Sequence, residues 1–142
     1  MAITIDGSGT ITGISVGGIP DGTVDTDVLA ANAVTYAKIG TTEQGQLCKA
    51  WVNFNGTGTV AIRASYNVSS ITDSGTGQYA VNFSTAMADA NYSVSGMGDG
   101  QGSFGGVYNI TTMAAGSVGV WYIQNNSPAF VDPVFASVAI FR

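Results

Sequence analysis

From Cys48 onward, apolar and polar residues alternate with a period of two, the pattern of strands buried on one side. In CKAWVNFN, residues 48–55, Cys48, Ala50, Val52 and Phe54 fall on one face and Lys49, Trp51, Asn53 and Asn55 on the other. The turn GTG follows. TVAIRASYNV then groups Val60, Ile62, Ala64, Tyr66 and Val68, which predicts a hairpin over 48–68 with one solid apolar face. QYAVNF repeats the alternation through Tyr79, Val81 and Phe83, NYSVSGM through Tyr92 and Val94, and VYNITT and SVGVWYIQ supply two more strands. In PVFASVAIFR, residues 133–142, both faces are apolar: Val134, Ala136, Val138 and Ile140 on one, Phe135, Ala139 and Phe141 on the other. Strands apolar on both sides are normally covered on both sides, so this one belongs in the middle of a core or at a subunit contact. About seven strands, with turns every eight to twelve residues, predict an all-β head: an antiparallel β-sandwich, jelly-roll or Greek-key-like.

Residues 1–46 follow another pattern, with short apolar pairs punctuated by Gly, Asp and Thr. DGSG at 6–9, between two ITI-like runs, signals a hairpin turn because Gly accommodates positive φ. In DGTVDTDVLAANAVTYAKI, residues 21–39, Val24 and Val34, then Leu29 and Ile39, recur ten residues apart. DTDVLAA and TYAKI are candidates for single helical turns, too short to be stable alone. The segment brings six sizeable apolar side chains, Val24, Val28, Leu29, Val34, Tyr36 and Ile39. Their burial is worth less than the entropy lost in ordering the segment, so it stays loose or packs on a neighbouring surface. The expected organisation is an N-terminal attachment and stem region, 1–46, followed by a head, 47–142.

Composition sharpens this picture. Charged residues are 9% of the chain and Gly is 20 of 142, so water-facing positions fall largely to Thr, Ser and Asn, which suit strands and turns better than helices. Hydrophobic content of 45% is too high for an unfolded chain. With a net charge of −5 and four cations, Lys38, Lys49, Arg63 and Arg142, the counterion-release term that drives nucleic-acid binding is nearly absent. Nucleic acid is therefore not expected as a partner. No apolar run is long enough to span a bilayer, and MAITIDGSG has neither a basic n-region nor an apolar h-region. Cys48 stands alone, which excludes an intrachain disulfide; a small buried hydrophobe is the expectation. Sheets ordinarily guard exposed edges with charge, Pro or bulges, and such guards are scarce here. Association of subunits covers the edges and gives residues 21–39 a partner. Three chains around one axis triple the apolar side chains brought to a common seam.

Two strings carry a family likeness. GTITGISVGGIPDGTVDTDVLAANAVTYAKI resembles the linker repeats of bacteriophage tail-fibre and related virion fibre proteins. CKAWVNFNGTGTVAIRASYNVSSITDSGTGQYAVNFSTAMADANY resembles the head module at the carboxyl end of many such proteins, with A-W-V-N-F, S-Y-N-V-S-S and A-N-Y-S-V in the expected order and spacing. The resemblance implies an intertwined homotrimer: a non-enzymatic virion component, synthesised in the host cytoplasm, with an extended N-terminal stem that attaches to other virion proteins and a carboxyl-terminal knob. The leading expectation is a short fibre or spike contacting a host-surface glycan or protein. A capsid decoration or cement protein, or a head fibre that stabilises the shell, is the alternative suggested by the short chain.

Candidate chemistry is sparse. Without histidine there is no Ser-His-Asp or Cys-His arrangement, and Cys48 beside Lys49 on a strand offers no base. Asp21, Asp25 and Asp27 cluster in the stem, whereas Asp73, Asp89, Asp99 and Asp132 are dispersed in turns, where Asp is common for its own hydrogen bonding. No catalytic residue, metal ligand or cofactor is assigned. GMGDGQGSFGG, residues 96–106, lacks the GK[ST] ending of a phosphate loop. It reads as an inter-strand loop, with Asp99, Gln101 and Phe104 as candidates for receptor contact; one carboxylate is thin support for a calcium site. Trp51, Trp121 and Tyr122 are candidates for a sugar-stacking platform, weighed against core or seam packing. Six Asn-x-Ser/Thr sequons, beginning at Asn55, read as strand ends and not as glycan acceptors.

Overall fold

Among the described residues the alternation is realised as eight strands in two four-stranded antiparallel sheets packed face to face. The computed structural model describes residues 29–31, 33–99, 107–124 and 128–142. Two units divide the chain, Met1–Ile39 and Gly40–Arg142. In the described part of the first, TYAKI forms one 3-10 turn over Tyr36–Lys38, and Lys38 Nζ donates to the Ala33 carbonyl at 2.7 Å. The DGSG turn and most of DTDVLAA lie outside the described residues.

The second unit opens with a six-residue helix, α1 (Thr41–Gln46), and continues into the sandwich. Sheet A contains β1 (Cys48–Asn55), β2 (Ala61–Tyr66), β5 (Ser93–Gly98) and β8 (Ala136–Phe141), in the order β2-β1-β8-β5. Sheet B contains β3 (Val68–Gly75), β4 (Gln78–Phe83), β6 (Val107–Ala114) and β7 (Ser117–Ile123), in the order β3-β4-β7-β6. Between the sheets lie Ala50, Val52 and Phe54 of β1, Tyr79, Val81 and Phe83 of β4, Val118, Val120 and Tyr122 of β7, and Ala136, Val138 and Ile140 of β8. Full burial of each large apolar side chain contributes about 1.5–3 kcal/mol, which is why the four central strands keep a strict period of two. At the centre, Phe54 meets Tyr79 and Tyr122 edge-on, with centroids 5.2 and 6.3 Å away. Gly98 makes room for this cluster, since a Cβ there would lie 2.5 Å from the Tyr122 ring.

Three particulars depart from the sequence reading. The run 59–68 is not one strand arm. Asn67 adopts φ 53°, a left-handed conformation that Asn tolerates better than most residues. There the chain leaves sheet A and enters sheet B, so Val68 begins β3, an eighth strand that the alternation had merged with its predecessor. The Asn67 side chain fixes the corner: Nδ2 donates to the Lys49 and Thr85 carbonyls, and Oδ1 accepts the Thr85 N–H at 2.7 Å.

Nor does β2 present a solid apolar face. Its register with β1 shifts between Asn53 and Phe54, with Ser65 opposite Val52, Ala64 opposite Asn53 and Ile62 opposite Phe54. Arg63 is the extra residue. Directly paired residues point to the same side of a sheet, so Tyr66 and Ala64 face outward with Trp51 and Asn53, while Ile62 lies on the side of Phe54. Every residue of β2 is exposed. Finally, β5 runs to Gly98, so the glycine-rich stretch is a strand through 98 and residues 100–106 lie outside the described chain.

Candidate functional site

The two outer faces of the sandwich differ in chemistry. On sheet B, the residues between the inward rows include Ser70, Thr72, Asn82 and Thr112, and Asn82 Nδ2 donates to the hydroxyls of Ser70 and Thr72 at 3.1 and 2.9 Å. This is a polar, water-facing surface. On sheet A, strand pairing aligns Tyr66, Trp51, Ala139 and Ser95 in one outward row and Ala64, Asn53, Ser137 and Met97 in the next. Phe141 stands outward beyond them, opposite Cys48 and Ser93. The exposed fractions are 40% for Trp51, 59% for Tyr66, 70% for Met97 and 37% for Phe141.

Small residues make the middle of this face concave. Above Ser137 and Ala139, with Trp51 on one side and Met97 on the other, lies a hollow of about 310 Å³. A second hollow, about 460 Å³, shares Asn53, Met97 and Ser137 with it and extends to Asp99 and Phe135. Phe135 is 56% exposed, and the Arg63 guanidinium carbon lies 4.5 Å from its ring centroid. The β1–β2 bulge aims that guanidinium, whose Nη1 also donates to the Phe54 carbonyl at 2.8 Å.

Asp99 sits at the end of this face, where β5 leaves the sheet. Its backbone N–H donates to the Phe135 carbonyl at 2.9 Å, and its Oδ1 accepts the Phe135 N–H at 2.7 Å. The carboxylate thus ties the end of β5 to Phe135, ahead of β8. Gln101 and Phe104 lie outside the described residues. Among the six apolar residues expected to pack in a stem, Leu29, Val34 and Tyr36 are exposed and Ile39 is half-buried, while Val24 and Val28 lie outside the described residues.

Trp51, Trp121 and Tyr122 do not come together. Trp51 faces outward on sheet A; Trp121, half-buried, packs edge-on against Phe130 at 5.2 Å beside sheet B; Tyr122 is wholly buried between the sheets. The platform reading is therefore corrected, because successive residues of one strand point to opposite sides. Cys48 is half-buried, with its thiol 3.1 Å from the Ala50 carbonyl.

The described aspartates of the second unit share one role, accepting a backbone N–H, across two residues for Asp73 and Asp89 and across long stretches of chain for Asp99 and Asp132. Asp73 accepts the Gly75 N–H at 3.0 Å, Asp89 the Asn91 N–H at 2.7 Å and Asp132 the Gly77 N–H at 2.7 Å, alongside the Asp99 bond to Phe135. Asp89 also pairs with Arg142 at 2.5 Å; hydrogen bonding to that guanidinium, then to Asn91, holds its carboxyl below the usual carboxylate range. Tyr79 is raised well above the ordinary phenol range by burial and then by its hydrogen bond to Asp132 at 2.7 Å. Sequence reading missed this contact, since 53 residues separate its members. Among the described residues no three His, Cys, Asp or Glu side chains gather where a metal ion could be held, and no helix is long and apolar enough to cross a membrane.

Fold and faces together define the second unit as a β-sandwich with one polar and one largely apolar outer face. No family model matches the chain, and no curated protein matches it. Among solved structures it is similar to the phiAB6 tailspike, solved in complex with three-repeated oligosaccharides of Acinetobacter baumannii surface polysaccharide, at 20% identity and a TM-score of 0.48. That similarity covers 64% of this chain and 19% of the tailspike chain.

Proposed function

We propose that this protein is a non-enzymatic bacteriophage virion component, a short fibre or spike in which three copies wind their first ~46 residues into a stem and carry β-sandwich heads to the host cell surface. The observation that carries the reading is the exposure of Leu29, Val34 and Tyr36 on a single copy, in a segment whose own side chains cannot offset the entropy of ordering it. Winding three copies together covers them. The family likeness of residues 9–39 and 48–92 supplies the virion context. The absence of histidine, together with the four head aspartates each accepting a backbone N–H, favours a structural role over hydrolysis. Host contact is assigned to the glycine-rich sequence that follows Asp99 and contains Gln101 and Phe104.

Sedimentation of the full chain at micromolar concentration is expected to give a trimer, and labelled protein is expected to bind host cells saturably. Replacing residues 100–106 with a Gly-Ser linker of equal length should abolish cell binding and leave the trimer intact. A protease-resistant monomer, first third included, overturns the stem; binding to purified capsids but not to cells overturns the host-contact role in favour of shell decoration.

A further inference from the structure

We infer that the outer face of sheet A is a protein–protein seam whose occupant is the same face of a second copy of this chain. The inference rests on the oligomeric reading above and names the surface through which the heads associate. Composition is its first support. Trp51, Tyr66, Met97, Phe135, Phe141 and Arg63 are the exposed large residues of this face and its end, and Trp, Tyr, Phe, Met and Arg are the types enriched at interface cores, while Lys, Glu and Asp are depleted. Neither outward row contains an acid or a lysine.

Area is the second support. Applying the exposed fractions of the five apolar side chains to about 200 Å² for a large side chain leaves roughly 500 Å² of apolar surface open to water. A stable association of standard size buries about 800 Å² on each partner, about 60% of it apolar; in a threefold ring this area is each copy's total, divided between its two neighbours. The neutral residues interspersed on the same rows, Ala64, Asn53, Ser137, Ala139 and Ser95, supply area of the remaining kind.

Shape is the third. The face carries both projections and a socket: Tyr66 and Met97 stand out, and the hollow of about 310 Å³ between Trp51 and Met97 has a floor of small side chains. A neighbour's Tyr66 entering that socket makes a heterologous contact, which closes into a ring under a threefold rotation. The two-faced pattern of residues 133–142 follows, because β8 is central in sheet A and lends its outward Ala139 and Phe141 to the seam.

Methionine oxidation tests this on the intact chain. Dilute hydrogen peroxide is applied at a concentration where sedimentation shows the oligomer, and sulfoxide formation is followed residue by residue by mass spectrometry. Met97 is 70% exposed on one copy and should react at least tenfold more slowly than a solvent-exposed methionine in a short peptide. Tyr66→Asp should restore fast oxidation of Met97, whereas Thr112→Asp, on the polar face of sheet B, should leave it protected. Free reactivity of Met97 in a confirmed oligomer overturns the seam and leaves the fibre reading standing. A monomer with reactive Met97 overturns both. Protection lost equally with Thr112→Asp also overturns the seam, because the effect is then not specific to the face.

Discussion

Removing one oxygen, in Tyr79→Phe, probes a long-range tie that holds the sandwich together. Tyr79 is 2% exposed, and its hydroxyl donates to Asp132 Oδ1 at 2.7 Å, with the Gly56 carbonyl a second acceptor at 3.1 Å. The same Asp132 oxygen accepts the Gly77 N–H at 2.7 Å, and the Pro133 carbonyl accepts the Gly56 N–H at 2.8 Å. One carboxylate thus ties the β3–β4 turn, strand β4 and the approach to β8. A hydrogen bond to a charged group is worth about 1.5–3 kcal/mol, so the substitution should cost about 2 kcal/mol and lower the Tm by about 8–16 °C for a unit of this size. The alkaline limb gives an independent reading. Burial and Asp132 keep the phenol protonated in the folded state, whereas in the unfolded chain it ionises near pH 10. Above that pH the unfolded state binds fewer protons, so stability, fully present below pH 10, falls as pH rises. The slope reaches about 1.4 kcal/mol per pH unit for one such group. Urea unfolding followed by circular dichroism at pH 8 and at pH 11, at one fixed protomer concentration, measures both effects. A variant whose unfolding free energy in urea lies within about 0.5 kcal/mol of the parent's, well inside the loss expected for a hydrogen bond to a charged group, or an undiminished alkaline slope, would refute the assignment of Tyr79 as the pin.

Two further substitution sets test other joints. Gly77 and Gly58 have nearly the same φ, +66° and +64°, but a Cβ at Gly77 would lie 2.5 Å from the Tyr122 carbonyl oxygen whereas Gly58 faces open space. Gly77→Ala should therefore cost at least about 3 kcal/mol and Gly58→Ala only about 1; equal urea midpoints would contradict this. Arg142→Gln should move the Asp89 carboxyl upward, part of the way to the ordinary range because the Asn91 hydrogen bond remains, read by carboxyl-carbon NMR titration. The sign follows from the lowered value: the parent's contribution from this pair is present above the unfolded carboxylate's pKa and lost as pH falls through the folded one, and the variant's acid limb should lack it.

What the sequence disclosed, and what it hid, divides along the reach of each signal. A period of two depends only on neighbours along the chain, and it places Ala50, Val52 and Phe54 inside as observed. The same period in SVGVWYIQ puts Val118, Val120 and Tyr122 inward and Trp121 on the other side, so the dispersal of the three aromatics was already legible. A bulge defeats the method, because one added residue at Arg63 exchanges the faces of everything beyond it. The pattern of 59–68 contains no mark of that addition. Asn67 is intermediate: an asparagine within a strand-like run is a known marker of a left-handed corner, but that the chain changes sheets there depends on Lys49 and Thr85, each 18 residues away. The Tyr79–Asp132 contact is wholly non-local. The apolar outer face shows the opposite case. PVFASVAIFR is apolar on both sides because β8 sits centrally in sheet A, with one side against sheet B and the other on the face that carries Trp51, Tyr66 and Met97. A strand apolar on two sides that is covered on one among the described residues is the local signal on which the proposed seam rests, and it is written in ten residues.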